Sequence, residues 1–232
     1  RRHLLLDRPG FGLSERAAVV PDFRARSIEL LVSTLDALEL ESADIVGNSI
    51  GAAMGLWLAL AHPSRVRSLG LVGGAAMLPG PALPFILRLL ATPVIGPLML
   101  RLERPSPDQV RSVLRRFGHD PDTVDPAMHA VTLAAERVPA YRHAWFEVLH
   151  ATISPKGQRP GLRLDAADLG RITCPVAFAW GARDPMVGAD EGRAAAAQIP
   201  SARFEIAGVG HLPWLDDAGA VDRKGTRLNS SH

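Results

Sequence analysis

Apolar and polar positions form blocks along this chain, and the spacing within each block predicts an element of secondary structure. Short, mainly apolar runs are typical of strands buried on both faces, and they lie at residues 4–6, 43–46, 66–72 and 175–180. Residues 203–206, which mix apolar and charged side chains, are a further predicted strand. Apolar residues at helical spacing predict helices between these runs, at residues 23–38, 52–62 and 190–198. Alternating strands and helices predict an α/β fold, in which a mostly parallel sheet carries helices on both faces.

The pattern changes between residues 76 and 169, where no strand is predicted. A helix should begin at Ser106-Pro107-Asp108-Gln109, which provides a capping serine and a first-turn proline, and should stop at Gly118. Further helices are predicted at residues 126–138 and 140–153. We therefore expect a core at 1–75 and 170–217, with a helical cap at 76–169 inserted into it.

Residues 82–100 are apolar enough to suggest a membrane span, but Arg88 and several prolines and glycines interrupt them. A lid over an apolar pocket is the favoured interpretation; contact with a membrane surface and plain core packing are the alternatives. Phe85 and Trp145 are candidates to line that pocket, although each could equally pack helices together.

Composition narrows the class of protein. The chain has 232 residues, of which 47% are hydrophobic, so it can bury a sizeable core. Its 26 basic and 24 acidic residues are spread along the chain, and 5% of residues are aromatic, which argues against a nucleic-acid partner. Cys174 has no second cysteine to pair with, and we expect it to be a buried structural thiol.

The candidate chemistry centres on Gly47-Asn48-Ser49-Ile50-Gly51, between a predicted strand and a predicted helix. Glycines two residues on either side of Ser49 would permit a sharp turn that exposes the serine hydroxyl as a nucleophile. The backbone N–H of Ile50, at the helix N-terminus, could then stabilise charge on a substrate oxygen. The alternative is that Ser49 merely caps the helix.

A serine nucleophile needs a base and a group that orients the base. Asp184 and His211 each follow a predicted parallel strand, as Ser49 does, and the carboxyl ends of parallel strands lie at one edge of the sheet. The order Ser, Asp, His is that expected for a nucleophile on a strand-to-helix turn. Alternatively, Asp184 could be a turn or capping residue and His211 an ordinary loop histidine.

Four motifs resemble, in order, the signatures of the α/β-hydrolase fold superfamily: Asp-Arg-Pro-Gly-Phe-Gly-Leu-Ser at 7–14, Gly-Asn-Ser-Ile-Gly at 47–51, Trp-Gly-Ala-Arg-Asp at 180–184 and Gly-His-Leu-Pro-Trp at 210–214. The resemblance implies Ser49 as nucleophile, His211 as general base and Asp184 as its orienting acid, with a helical cap, no cofactor and no metal. Asn48 before the serine is similar to hydrolases that cleave carbon–carbon bonds in ring-fission products, and esterases share it.

Two features of the sequence depart from the family pattern. Residues 4–6 match a strand in the middle of the family sheet. In the family a preceding strand ends in a His-Gly loop that supplies a second oxyanion donor, and this sequence has no counterpart of either. We therefore expect an N-terminally truncated chain with reduced activity. Residues 4–6 should then pair with the wrong neighbour or stay unpaired. At the other end, residues 218–232 are polar and aperiodic, and we expect a non-native or disordered tail.

These observations predict a serine-dependent hydrolase of a small, largely apolar ester or vinylogous ketone, with Asn48, Phe85, Trp145 and Trp214 as pocket candidates. A small-molecule substrate, a cytoplasmic location and no membrane span are expected, and homo-oligomerisation is left open. Two alternatives stay open: a ligand-binding receptor that retains the triad, and an inactive fragment that lacks the oxyanion loop.

Overall fold

The computed structural model describes residues 3–15, 22–79, 83–102 and 104–226. Its strands are β1 Ala43–Gly47, β2 Val66–Val72, β3 Ile153–Ser154, β4 Gly157–Gln158, β5 Val176–Gly181 and β6 Ala202–Gly208. Its helices are α1 Phe23–Ala37, α2 Ile50–Ala61, α3 Phe85–Leu90, α4 Ile95–Leu102, α5 Pro107–Arg116, α6 Pro126–Glu136, α7 Pro139–Thr152, α8 Ala166–Gly170, α9 Ala189–Ala196 and α10 Trp214–Thr226.

The chain divides into two compact units. One contains residues 1–23, 83–112 and 125–159, and holds α3, α4, α6, α7 and the short β3–β4 hairpin. The other contains residues 24–82, 113–124 and 160–232, and holds the main sheet. The sequence-based assignment of all of 76–169 to a cap stays a prediction.

The main sheet is parallel throughout, in the order β1-β2-β5-β6. The register places Leu71 beside Phe178 and Val72 beside Ala179, so successive residues of β2 and β5 face opposite sides of the sheet. Almost all of β2 is buried, as expected of an inner parallel strand. The predicted α/β fold with a mostly parallel sheet is confirmed.

Helices cover both faces of this sheet. On one face α9 packs so closely against β5 that a Cβ on Gly192 would lie 2.7 Å from the ring of Trp180. On the opposite face Trp214 and Val221 of α10 pack against Val72, Ala179 and Ala207. The two buried faces supply the apolar burial that stabilises the unit.

Most of the predicted helices and strands are confirmed within a few residues, including the start of α5, where the Ser106 hydroxyl accepts a hydrogen bond from Gln109 N at 3.2 Å. Two expectations are wrong. No strand is predicted in 76–169, but the short antiparallel hairpin of β3 and β4 lies there, because Ile153 and Ser154 pair with Gln158 and Gly157. Residues 4–6 form no buried strand: Leu5 is 99% exposed, and none of the described residues pairs with the backbone of this stretch. The stretch is therefore unpaired, which is one of the two expected outcomes. Residues 218–226 are helical, since α10 continues past a kink at Asp217, and residues 227–232 lie outside the described part. The expectation of a non-native or disordered tail at 218–232 stays a prediction.

The apolar stretch around Arg88 is divided into the short helices α3 and α4. Among the described residues, no helix has both the length and the apolar character needed to cross a bilayer. Cys174 is buried, and burial raises the pKa of its thiol, which fits the expected structural role.

Candidate active site

Ser49 lies at a sharp turn between β1 and α2. Its backbone angles are φ 52° and ψ −113°, a conformation that residues with a side chain rarely adopt. Such strain persists only where the surrounding structure holds it, and it is characteristic of functional sites. The turn projects from the carboxyl end of a parallel strand, as the sequence predicts.

The serine does not serve as a helix cap. Its side chain makes no capping hydrogen bond to α2, so the structural alternative for Ser49 is not supported. The backbone N–H groups of Gly51 and Ala52 both donate to Asn48 O, at 2.8 and 3.4 Å. Among the described hydrogen bonds, Ile50 N–H has no acceptor. An unpaired N–H at a helix N-terminus is suited to a developing oxyanion.

The two glycines of the turn are not equivalent. A Cβ on Gly47 would overlap the Gly51 backbone and lie 2.6 Å from Ala52 N, whereas a Cβ on Gly51 would meet nothing within 4 Å among the described residues. The expectation that both glycines relieve crowding is therefore met only at Gly47.

This difference predicts opposite effects of two alanine substitutions. Gly47→Ala should lower the free energy of unfolding by about 1–3 kcal/mol, because the added methyl group overlaps backbone atoms. Gly51→Ala should leave stability unchanged or raise it by up to about 1 kcal/mol, since alanine favours helix over glycine. Urea unfolding of both variants is the measurement, and an equal loss in the two would contradict the steric account.

His211 and Asp184 form a buried hydrogen-bonded pair. The His211 Nδ1 lies 2.9 Å from Asp184 Oδ2, and the two side chains are 5% and 0% exposed. A carboxylate can only accept, so the ring proton lies on Nδ1 and leaves Nε2 as the basic nitrogen. This is the arrangement that a general base of a serine hydrolase requires.

Every side of the Asp184 carboxylate is used. Oδ2 also accepts from Gly74 N at 2.7 Å, and Oδ1 accepts from Met186 N at 2.8 Å and Val187 N at 3.3 Å. Burial raises the pKa of Asp184, but the hydrogen bond and charge of His211, with the backbone donors, bring its pKa below the ordinary value. The residue is therefore a carboxylate at neutral pH. Asp184 accepts hydrogen bonds from the turn residues Met186 and Val187 and, at the same time, pairs with His211.

Asn48 connects the serine turn to the histidine. Its Nδ2 donates to Val72 O at 2.7 Å and to His211 O at 3.2 Å, so both of its N–H donors bind backbone carbonyls. This pocket candidate therefore braces the site, and only its Oδ1 is left for a substrate.

Among the described hydrogen bonds, none joins the Ser49 hydroxyl to the His211 ring. Such contacts are often looser before substrate binds.

The other pocket candidates are divided between the two units. Phe85 is 72% exposed on α3, and Trp145 packs edge-on against Phe11, with ring centroids 5.7 Å apart. Both belong to the unit that contains the β3–β4 hairpin, whereas Trp214 packs against the main sheet in the other unit. Their role as pocket residues stays a prediction.

Sequence reasoning missed the contribution of Gly73 and Gly74, which directly follow β2. Gly73 has φ 74°, and a Cβ there would overlap His211 O; a Cβ on Gly74 would lie 2.7 Å from Asp184 Oδ2. The sequence did carry a signal, because a glycine pair at the end of a buried strand often marks a close approach of another backbone.

A model of the family described as alpha/beta hydrolase fold matches residues 1–218. The chain belongs to the α/β-hydrolase fold family. The four sequence motifs had indicated this membership, and the parallel sheet is consistent with it.

Two of the similar proteins are hydrolases. The 2-hydroxymuconate semialdehyde hydrolase of Pseudomonas putida is 28% identical, over 94% of this chain and 73% of its own length. A 2-hydroxy-6-oxononadienedioate/2-hydroxy-6-oxononatrienedioate hydrolase of Paraburkholderia phymatum is 30% identical, over 94% of this chain and 72% of its own length.

A solved structure shows the same fold. The 2-hydroxy-6-oxo-6-phenylhexa-2,4-dienoate hydrolase of Rhodococcus sp. strain RHA1 superposes with a TM-score of 0.75 and 23% identity, over 94% of this chain and 76% of that one. The family match and the hydrolase relatives together support a hydrolase enzyme.

Proposed function

We propose that this protein is a serine-dependent hydrolase that cleaves a carbon–carbon bond next to a ketone in a small, largely apolar vinylogous substrate, and that it also accepts small apolar esters. Ser49 is the nucleophile, His211 the general base and Asp184 the residue that orients His211. The observation that carries the proposal is the buried His211–Asp184 pair at the same sheet edge as the strained Ser49 turn.

The reaction needs three contributions that these residues can provide. His211 Nε2 takes the proton from the Ser49 hydroxyl, or from a water on a gem-diol route, as the new C–O bond forms at the substrate carbonyl. Ile50 N–H stabilises the resulting oxyanion. When the intermediate collapses, the imidazolium returns the proton to the leaving carbon or alkoxide. On the acyl-enzyme route a water then hydrolyses the ester on Ser49 and releases the acid product; on the gem-diol route the collapse itself yields the acid.

The names of the relatives favour carbon–carbon bond cleavage over ester hydrolysis as the main reaction. The matched enzymes carry names of semialdehyde, dienedioate and trienedioate hydrolases, and the match extends over 94% of this chain in both. Asn48 before the serine points the same way, although esterases share it.

A substrate comparison tests this proposal. We expect turnover of a 2-hydroxy-6-oxodienoate and of a short 4-nitrophenyl ester, with the larger kcat/KM for the dienoate, both followed by absorbance. Hydrolysis of the ester alone would remove the carbon–carbon assignment. A folded protein that turns over neither would contradict the hydrolase proposal.

A further inference from the structure

The backbone around His211 is held by an unusual set of contacts. We define the histidine loop as Val209–Leu212, which connects β6 to α10. Each of its four successive backbone N–H groups has an acceptor. Val209 N and Gly210 N donate to Asp216 Oδ2 at 2.7 and 3.2 Å, His211 N donates to Phe117 O at 2.8 Å, and Leu212 N donates to His119 Nε2 at 3.0 Å.

His119 connects two of these anchors. Its side chain is 0% exposed, and its Nδ1 lies 3.0 Å from Asp216 Oδ1, whose side chain is 16% exposed. Because Leu212 N–H can only donate, Nε2 must accept, and the ring proton must lie on Nδ1, facing the carboxylate. The His119 ring therefore binds Leu212 at the end of the histidine loop. It also orients the Asp216 carboxylate, which binds Val209 and Gly210 at the beginning of the loop.

The packing around this ring leaves little freedom. A Cβ on Gly210 would lie 2.6 Å from both Cε1 and Nε2 of His119, so glycine is needed where the ring meets the loop. Phe117, two residues before His119, lies against the His211 ring with centroids 5.5 Å apart. The segment 117–119 thus contacts the histidine loop through a carbonyl, an aromatic ring and an imidazole.

We propose that His119 is a positioning residue, which through Leu212 N–H and Asp216 fixes the histidine loop and so holds His211 in place for catalysis. The inference rests on the proposed role of His211 as general base. His119 touches no reacting atom in this account; it acts through the backbone on which His211 is carried. Small displacements of a catalytic group are costly, since about 1 Å of misplacement can lower a rate on the order of a hundredfold.

The test compares His119→Leu with His119→Gln. Leucine removes both hydrogen bonds and leaves Leu212 N–H and Asp216 Oδ1 unpaired. Glutamine restores them, because its Oε1 can accept from Leu212 N–H while its Nε2 donates to Asp216. We expect His119→Leu to lower kcat by about 10- to 100-fold with KM changed much less, and His119→Gln to recover most of the loss. His62→Leu, at an exposed histidine, is the matched control.

A readout independent of turnover separates this inference from the proposed function. In the ¹H NMR spectrum the His211 Nδ1 proton, identified by its disappearance in Asp184→Asn, should exchange faster with solvent in His119→Leu and return to its native behaviour in His119→Gln. If the protein turned over neither substrate, the proposed function would fail. Faster exchange in His119→Leu with recovery in His119→Gln would still support the positioning role of His119.

Two results would overturn the inference. One is native kcat and a native Nδ1 resonance in folded His119→Leu; the other is a folded His119→Gln as impaired as His119→Leu. If His119→Leu does not fold, Asp216→Asn replaces it, because asparagine can still accept from Val209 and Gly210 N–H but no longer accepts from His119. Asp216→Asn should lower kcat in the same way, and an unchanged kcat and resonance would reject the proposal.

Discussion

Replacing Ser49 with alanine is expected to lower kcat by on the order of 10⁴- to 10⁶-fold, with little change in the binding of substrate. The side chain makes no capping hydrogen bond, so its removal takes nothing from α2. Alanine also keeps the Cβ that already occupies this strained backbone, and Ile50 N–H stays in place. The loss should therefore appear in turnover and not in stability.

The measurement is steady-state hydrolysis of the dienoate and the ester by the native protein and by Ser49→Ala, with urea unfolding of both. Ser64→Ala, at an exposed serine in the one-turn 3-10 helix Pro63–Arg65 after α2, is the matched control and should retain native turnover. Native turnover in Ser49→Ala would remove Ser49 from the mechanism.

Asp184→Asn should be the second large loss, at about 10⁴-fold in kcat. If the asparagine Oδ1 keeps accepting from Met186 and Val187, its NH₂ group takes the place of Oδ2. That NH₂ then faces His211 Nδ1 as a donor, which forces the ring proton onto Nε2. A His211 ring protonated at Nε2 cannot accept the proton of the nucleophile.

The same variant should change how stability depends on pH. The pKa of Asp184 is lowered in the folded protein, so its contribution to stability is complete above the ordinary carboxyl pKa and is lost as the pH falls through the lower folded value. Asp184→Asn should remove that acid-side component.

Asp36→Asn, at an exposed partner of Arg65, is the control, and its kcat should match that of the native protein. Equal losses of kcat in Asp184→Asn and Asp36→Asn would contradict the proposed role.

Local chemistry explains why much of the fold and the site core could be predicted. A glycine-flanked serine between an apolar run and a small-residue helix indicates a sharp turn without any knowledge of the rest of the chain. Asp184 and His211 follow apolar runs, and parallel strands place their carboxyl ends at one edge. That rule predicts that the two residues lie near each other, and in the structure their side chains pair at 2.9 Å.

Tertiary context explains what the sequence could not reveal. The apolar run at residues 4–6 indicates burial but not which strand would pair with it, and it pairs with none of those described. The polar composition after residue 217 gave no sign that Val221 packs against the sheet. His119 lies in an ordinary loop after α5, and its contact with Leu212 exists only once two distant segments meet.

Covalent labelling of Ser49 tests the central claim most directly. A fluorophosphonate ester reacts with serine hydroxyls that a neighbouring base activates, and it needs no knowledge of the natural substrate. Intact-mass and peptide analysis should find one adduct, on Ser49, that is absent from Ser49→Ala, strongly slowed in Asp184→Asn and unchanged in Ser64→Ala. An adduct on another residue, or no adduct on the folded native protein, would contradict the assignment of Ser49 as a nucleophile activated by His211 and Asp184.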